Sequence, residues 1–197
     1  KGNSILPSNI IFDVKVDQQG YKWVATFKGL IKFKEDYWIL YDTTNSGIPK
    51  NDIRTIEIDS LGNIWVGTRG GGLGKFNGVV WEVFNTANSN LPSNIINDLE
   101  FENVNSLWIA TTEGLVKKEG FNWTTYNTSN SGLTINNISV IKMDGNIKWI
   151  GVISGNYQNP NGGVFWFDDV NWTNFMPSRP NRNYNSVYSI SIDNNNN

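Results

Sequence analysis

Four tryptophans, Trp23, Trp65, Trp108 and Trp149, recur at intervals of 42, 43 and 41 residues, each inside nearly the same phrase: YKWVAT, NIWVGT, SLWIAT and IKWIGV. A second series, Trp38, Trp81, Trp123 and Trp172, keeps step at 43, 42 and 49. A third follows three residues later as Tyr41, Phe84, Tyr126 and Phe175. A period of about 40 to 45 residues with several short strands per unit is the sequence mark of a β-propeller blade, a unit that cannot bury its apolar faces until neighbours stack on it. The expectation is an all-β chain of four-stranded antiparallel blades of about 42 residues.

The period divides the chain into blades at about 3–44, 45–87, 88–129 and 130–178, followed by the start of a next blade at 179–197. The last interval is long because the fourth unit carries an insertion. The chain closes on VYSISIDNNNN, which reads as the first strand of another blade, while every earlier blade is already complete. Residues 1–197 are therefore expected to form a single partial propeller, four blades plus one strand of a fifth, within a larger ring; the alternative is a four-bladed ring with a spare strand.

The second unit shows the grammar of one blade. Asp52 to Asp59 alternates Ile56 and Ile58 against Thr55 and Glu57, the period of a strand with one buried face. A polar turn with Gly62 follows, and then Asn63 to Thr68, apolar on both faces as a strand inside a stacked blade must be. Leu73 to Phe76 and Trp81 to Phe84 complete the sheet around Asn77-Gly78, a favoured hairpin dipeptide. In the first unit the strands are Phe12 to Val16, Lys22 to Thr26, Leu30 to Lys34 and Trp38 to Tyr41. The first tryptophan series is expected to pack between blades, where burying ~150 to 250 Å² per ring is worth roughly 4 to 6 kcal/mol gross.

Composition excludes much chemistry. The chain has no Cys and no His, which removes the thiol nucleophile, the common zinc ligands and the imidazole base. The formal net charge of -2, with both signs interspersed, gives no footprint for nucleic acid. No run approaches the ~18 apolar residues of a membrane helix. No cofactor or metal is expected, and no catalytic residue. Asp17, Asp59, Glu102 and Asp144 recur before the first turn of each unit, where a carboxylate caps turn amides. Asp168 and Asp169 fall at a turn and lack the opposed geometry of a glycosidase pair. Asparagine is abundant, mostly in turns, an excess also expected of an AT-rich genome.

The phrases NIWVGTRGGGLGKFNG and SLWIATTEGLVKKEG, each followed by a tryptophan, an aromatic and N-T-x-N-S-x-L, resemble the two-component regulator propeller repeat. The resemblance covers the chain four times over, through W-[VI]-[AG]-T, then G-L, then the N-S-G-[IL]-P linker. It implies a periplasmic sensor propeller of a hybrid histidine kinase, of a kind found in Bacteroidetes and responsive to polysaccharide fragments, with a dimer in the full-length receptor. Related repeats in secreted or surface proteins imply the alternative, a structural or adhesion propeller that binds another protein. The fourth unit departs from the pattern, with GVISGNYQNPNGGVFW in place of T-x-x-G-L.

A ligand site is sought where units differ, since structural demands are the same in every blade. In a propeller the turns between second and third strands and the entries to first strands share one face. At the first-strand entry the equivalent residues are Phe12, Arg54, Asn97, Ser139 and Tyr188; after the second strand they are Phe27 with Lys28, Arg69, and Thr112 with Glu113. The insertion Gly155 to Gly163 adds Tyr157. Aromatic faces, guanidinium and amide donors and a carboxylate suit an oligosaccharide. The candidates are Phe12, Phe27, Lys28, Arg54, Arg69, Asn97, Glu113, Tyr157 and Tyr188, in a non-catalytic recognition module that is periplasmic or at the cell surface.

Overall fold

The structure, a computed structural model, describes residues 6–154, 162–175 and 186–193. It is all-β: four four-stranded antiparallel sheets, each a meander in chain order. The first holds β1 (Ile11–Val16), β2 (Lys22–Thr26), β3 (Gly29–Lys34) and β4 (Tyr37–Tyr41); the second β5 (Ile53–Ile58), β6 (Ile64–Thr68), β7 (Leu73–Phe76) and β8 (Trp81–Phe84). The third holds β9 (Ile96–Asn103), β10 (Ser106–Thr111), β11 (Gly114–Glu119) and β12 (Asn122–Tyr126); the fourth β13 (Ile138–Asp144), β14 (Ile147–Val152), β15 (Gly163–Phe167) and β16 (Trp172–Phe175). The chain divides into two compact units, Lys1–Leu99 and Glu100–Asn197, the boundary falling inside β9. No helix among the described residues is long and apolar enough to cross a membrane.

The strands lie where the repeat puts them, and β6 and β10 are buried along their whole length. One turn differs. Asn77-Gly78 is not a two-residue hairpin: Phe76 pairs with Trp81, and the intervening four residues turn about the Asn77 side chain, which accepts the Val79 and Val80 amides at 2.9 Å each. An Asx turn supplies its own acceptor and so outcompetes the tighter loop. Ser186–Asp193 forms no ladder, yet it lies in the place of a first strand. Val187 donates to the Val152 carbonyl at 3.1 Å and packs on Gly151, as Ile96 packs on Gly67 two residues after the preceding tryptophan.

The acidic series explains how the tryptophans are held. Asp17 accepts the Gln19 and Tyr21 amides at 3.0 and 2.9 Å with one oxygen, and the Trp23 indole at 2.9 Å with the other. Asp59 repeats this with Leu61, Asn63 and Trp65, at 3.0, 2.9 and 3.0 Å. One carboxylate thus caps the turn and satisfies the only polar atom of a buried ring.

With their N–H groups satisfied, Trp23 and Trp108 close on the next sheet of their own unit. In the first unit Trp23 and Tyr41 stack at 5.9 Å and meet Phe76 and Trp81, which stack at 5.0 Å; Tyr41 to Phe76 is 5.3 Å. In the second unit Trp108 and Tyr126 (5.6 Å) meet Phe167 and Trp172 (4.3 Å) in the same way, Tyr126 to Phe167 again at 5.3 Å. Within each unit the two sheets are locked by four aromatics, two from each side.

The linkers are equally regular, and here the asparagines act. Asp42 donates its amide to Asn45, Asn45 donates to the Leu40 carbonyl, Ser46 donates to the Asp42 carbonyl, and Asn51 accepts the Thr43 amide. Asn88, Ser89 and Asn94 repeat the clasp, as do Asn130, Ser131 and Asn136. Much of the asparagine content is therefore structural. The threonine of W-x-x-T closes the second turn: Thr26, Thr68 and Thr111 each donate to a glycine carbonyl and accept an amide within the turn. Gly114 there takes a φ of 135° with its Cα against the Tyr126 carbonyl, where a Cβ would come to 2.7 Å.

The fourth sheet carries an exception to the apolar pattern. Lys148 stands where Ile64 and Leu107 stand and is fully buried. Its Nζ meets Glu102 Oε1 and Asp169 Oδ2 at 2.6 Å each, with the Asn146 carbonyl at 3.0 Å. Glu102 Oε2 also receives Lys117 at 3.1 Å and the Trp108 indole at 3.2 Å. Burial pushes the Glu102 carboxyl up, but hydrogen bonds from Lys148, Lys117 and Trp108 outweigh it and hold the group below its ordinary range.

Two outcomes are expected. Asp59→Ala removes the acceptor of the Trp65 indole and of two turn amides, and should cost about 1 to 3 kcal/mol in urea denaturation, more than Trp65→Phe, which removes the N–H with its ring mostly kept. Because the folded pKa of Glu102 is depressed, its contribution is complete above the ordinary carboxylate pKa and is lost as pH falls through the folded value. Glu102→Gln should therefore be less stable than wild type at neutral pH and show a shallower loss between neutral and acid pH, read from denaturant midpoints across pH.

Candidate functional site

Three of the first strands begin with an irregularity that the blade pattern alone does not require. Pairing skips one residue in β1 between Ile11 and Asp13, in β5 between Ile53 and Thr55, and in β13 between Ile138 and Val140. The extra residue is Phe12, Arg54 and Ser139, three of the positions at which the units differ. A bulge leaves that residue outside the ladder and re-aims its side chain.

In the first unit these side chains are brought together. The Arg54 guanidinium lies 4.0 Å from the centre of the Phe12 ring, a cation–π contact between adjacent sheets. Asp52 holds the same guanidinium at 2.8 and 2.9 Å through Nε and one terminal nitrogen. Asp52 also accepts the Arg69 amide on its backbone carbonyl at 2.9 Å, tying the turn after β6 to the approach to β5. Arg69 bridges to Ile95, and the amides of Gly70 and Gly72 converge on the Asn94 carbonyl. Asn97 follows two residues beyond Ile95, partly buried at the start of β9.

The remaining first-unit candidates sit on the turn after β2. The Phe27 amide donates to the Ile10 carbonyl at 3.2 Å, which joins this turn to the approach to β1, and the Lys28 amide donates to Thr26 Oγ1. Phe27 is 45% exposed and Lys28 is exposed. The rim of the unit carries Lys28 and Arg69 as outward cations, while Arg54 is already matched by Asp52.

In the second unit Glu113 is exposed on the turn after β10, its amide held by Thr111. Ser139 donates to the Val187 carbonyl, and the next residue, Tyr188, is 75% exposed. The structure thus places Ser139 beside the start of the Ser186–Asp193 segment. Tyr157 lies outside the described residues. Two grooves, of about 610 and 600 Å³, lie elsewhere: the first along Tyr41, Phe76 and Trp81, the second along Asp144, Trp149 and Ile190 to Asp193. None of the candidates among the described residues lines either groove.

Asp52 is the member that sequence reasoning passed over. Its signal was present, since residues two apart on an extended chain share a face, and Asp52 precedes Arg54 by two. Among the described residues no cluster of three or more acidic side chains is arranged to hold a metal ion. Asp168 caps its own turn through the Val170 and Asn171 amides, and Asp169 faces Lys148.

Residues 47–70, which run from the glycine of the NSG linker through the bulge of β5 and the W-x-x-T strand, match the two component regulator propeller family. The match is to one such repeat, over those residues. The solved extracellular domain of a protein from B. thetaiotaomicron, named as a hybrid two component system, superposes with a TM-score of 0.69 at 27% identity, over 80% of this chain and 21% of that one. A second such extracellular domain from B. thetaiotaomicron superposes at 0.68 with 18% identity, over 89% of this chain and 26% of the other. The chain therefore spans about a quarter or less of the length of these neighbours. A catalytically inactive histidine-to-alanine variant of virginiamycin B lyase from Staphylococcus aureus, solved with quinupristin, shares the fold at a TM-score of 0.67 and 14% identity, over 89% of this chain and 59% of that one. No curated protein matches the chain by sequence. The repeat and these neighbours make the fold a β-propeller built from four-stranded antiparallel blades.

Arg54→Ala should leave Asp52 without its cation and Phe12 without its cover. The expected loss is about 1 to 3 kcal/mol in urea denaturation, whereas Arg69→Ala, on the exposed rim, should stay within about 0.5 kcal/mol of wild type.

Proposed function

We propose that the chain is a non-catalytic recognition module of an extracytoplasmic sensor, which binds an oligosaccharide carrying acidic groups at the rim of the first unit, formed by the bulges at Phe12 and Arg54 and the turns after β2 and β6. The observation that carries this reading is the coincidence of variation with geometry. The acid–indole bond, linker clasp and turn threonine each recur in three blades, while Phe12, Arg54 and Ser139 differ and each occupies a bulge. Evolution of a scaffold alone gives no reason to diversify the one residue released from the ladder.

The chemistry of the rim supports the ligand class. Phe27 offers an exposed flat apolar face of the kind that packs on sugar rings, while Phe12 lies under the Arg54 guanidinium. Arg69 and Lys28 supply cations toward a carboxylate or sulfate, and Arg69 can grip one bidentately. Arg54 acts as a preordered wall, held by Asp52 and Phe12 before any ligand arrives, which lowers the ordering cost on binding. The family match and the two-component neighbours support a sensor and an extracytoplasmic location. A lyase reading has less behind it: the propeller lyase among the neighbours is inactive once a histidine is replaced, and this chain has no histidine.

The test is binding of acidic and neutral oligosaccharides to the intact chain by glycan array, followed by titration calorimetry. Saturable binding to an acidic glycan is expected, weakened about tenfold or more by Arg69→Ala at unchanged stability, with no bond cleavage on prolonged incubation. Binding that Arg69→Ala and Lys28→Ala leave unchanged, or no binding to any glycan, sinks the reading.

A further inference from the structure

The groove of about 610 Å³ in the first unit opens beside the aromatic lock, with Tyr41, Phe76 and Trp81 in its lining. Ile39 and Leu40 line it from β4, and Val79 and Val80 from the turn before β8, where they are 83% and 60% exposed. The packing of two sheets does not ask for this surface. In the second unit the same four-ring lock forms although Thr124 and Thr125 stand at the places of Ile39 and Leu40, and Asn171 at the place of Val80. Ile39, Leu40 and Val80 therefore keep apolar a surface that the scaffold tolerates as polar, and exposed apolar surface of that kind marks a site of interaction.

The polar side chains at the linker end of the groove are already engaged. Asn45 accepts the Asp42 amide and donates to the Leu40 carbonyl, and Ser46 donates to the Asp42 carbonyl. Trp81 is different: its indole nitrogen is buried and has no hydrogen-bond partner among the described residues. That edge of the ring lies by the groove, since a Cβ on Gly47 would come to 3.6 Å from Cδ1, the atom next to the nitrogen. A buried N–H left unpaired is destabilising, and an acceptor brought from outside removes the penalty. The nitrogen is covered where the ring stands, so the bond forms as the ring tilts toward the occupant, into space that the groove provides.

We propose that this groove is a second binding site, separate from the oligosaccharide rim, for an uncharged and mainly apolar small molecule whose acceptor oxygen takes the Trp81 N–H. Small-molecule pockets of ~300 to 1,000 Å³ combine apolar and aromatic walls with a few orienting polar groups, which is the composition found here. No charged side chain is among the lining residues, so an ionised ligand would leave water without a counter-charge. A protein interface takes roughly 20 to 30 residues a side. Ten residues line this groove, which suits a small molecule instead.

The test titrates the intact chain with methyl naphthyl ketone and with ethylnaphthalene, which share an apolar body and differ in the acceptor oxygen. Calorimetry reads affinity, and the indole N–H resonances in NMR spectra read the bond. Saturable binding of the ketone is expected, with a downfield shift of the one indole resonance that is missing in Trp81→Phe. That variant keeps a ring on Phe76, and it should weaken the ketone about tenfold while leaving the hydrocarbon within about twofold. Ile39→Thr with Leu40→Thr installs the residues that the second unit carries at these places, and should weaken both compounds about tenfold or more with the circular dichroism unchanged. Arg69→Ala should alter neither. Absence of saturable ketone binding, equal effects of Trp81→Phe on the two compounds, or affinity that survives the threonine pair overturns the proposal. So does concentration-dependent dimerisation of the chain that the threonine pair abolishes, since a second copy would then occupy the groove.

Discussion

The indole N–H of the second-strand tryptophan is the point on which three of the four blades turn. A tryptophan ring offers the largest apolar surface of any side chain, but its nitrogen must keep a hydrogen bond when water is removed. Asp17, Asp59 and Glu102 meet that need from the turn six residues upstream, and the first two also cap the turn. The same carboxylate therefore sets the hairpin between first and second strands and frees the ring to face a neighbouring sheet. Loss of the acid would loosen a turn, orphan a buried donor and misplace the ring that joins two sheets, so local and tertiary structure depend on one group.

The fourth blade shows how far this arrangement can be altered. Lys148 replaces an apolar core residue and would be untenable alone, since a buried ammonium without partners costs several kcal/mol. It is tolerated because Glu102 can take a lysine as well as an indole, and because Asp169, at a φ of 74° in the turn before β16, turns a second carboxylate toward it. The exchange trades an apolar contact, indifferent to its partner, for one that only an acid can complete. Blades that are otherwise alike become distinguishable to one another through it.

Most of the scaffold was legible in the sequence because its signals are local and repeated: strand alternation, turn glycines and the three aromatic series all act within one unit of about forty residues. The turn-capping role of the acids was legible for the same reason, whereas their grip on the indole was not, because it needs the strand's facing as well as its spacing. The bulges escaped notice altogether. Ile53, Arg54 and Thr55 look like ordinary alternation, and only the pairing of Ile53 with Thr68 and of Thr55 with Gly67 exposes the extra residue. The Asn77 turn was misjudged because the dipeptide rule omits the side-chain acceptor that lengthens it. Lys148 was hidden by its type, since lysine in a strand ordinarily points to water.

Bulge and diversity explain one another. A residue inside the ladder answers to its cross-strand neighbours and to the sheets stacked on either side, and the repeat shows how little freedom that leaves: tryptophan, small residue and threonine recur almost unchanged. A residue pushed out of the ladder at the strand's entry is relieved of the first constraint while staying fixed in position by the second. It can be phenylalanine, arginine or serine without disturbing the blade, and yet is presented by rigid backbone. That combination, sequence freedom on a fixed frame, is what a recognition surface needs. Arg54 illustrates it: Asp52 on its own strand and Phe12 on the adjacent sheet order the guanidinium, and both residues belong to the same rim. The positions the fold leaves free are thereby the ones it can offer to a ligand.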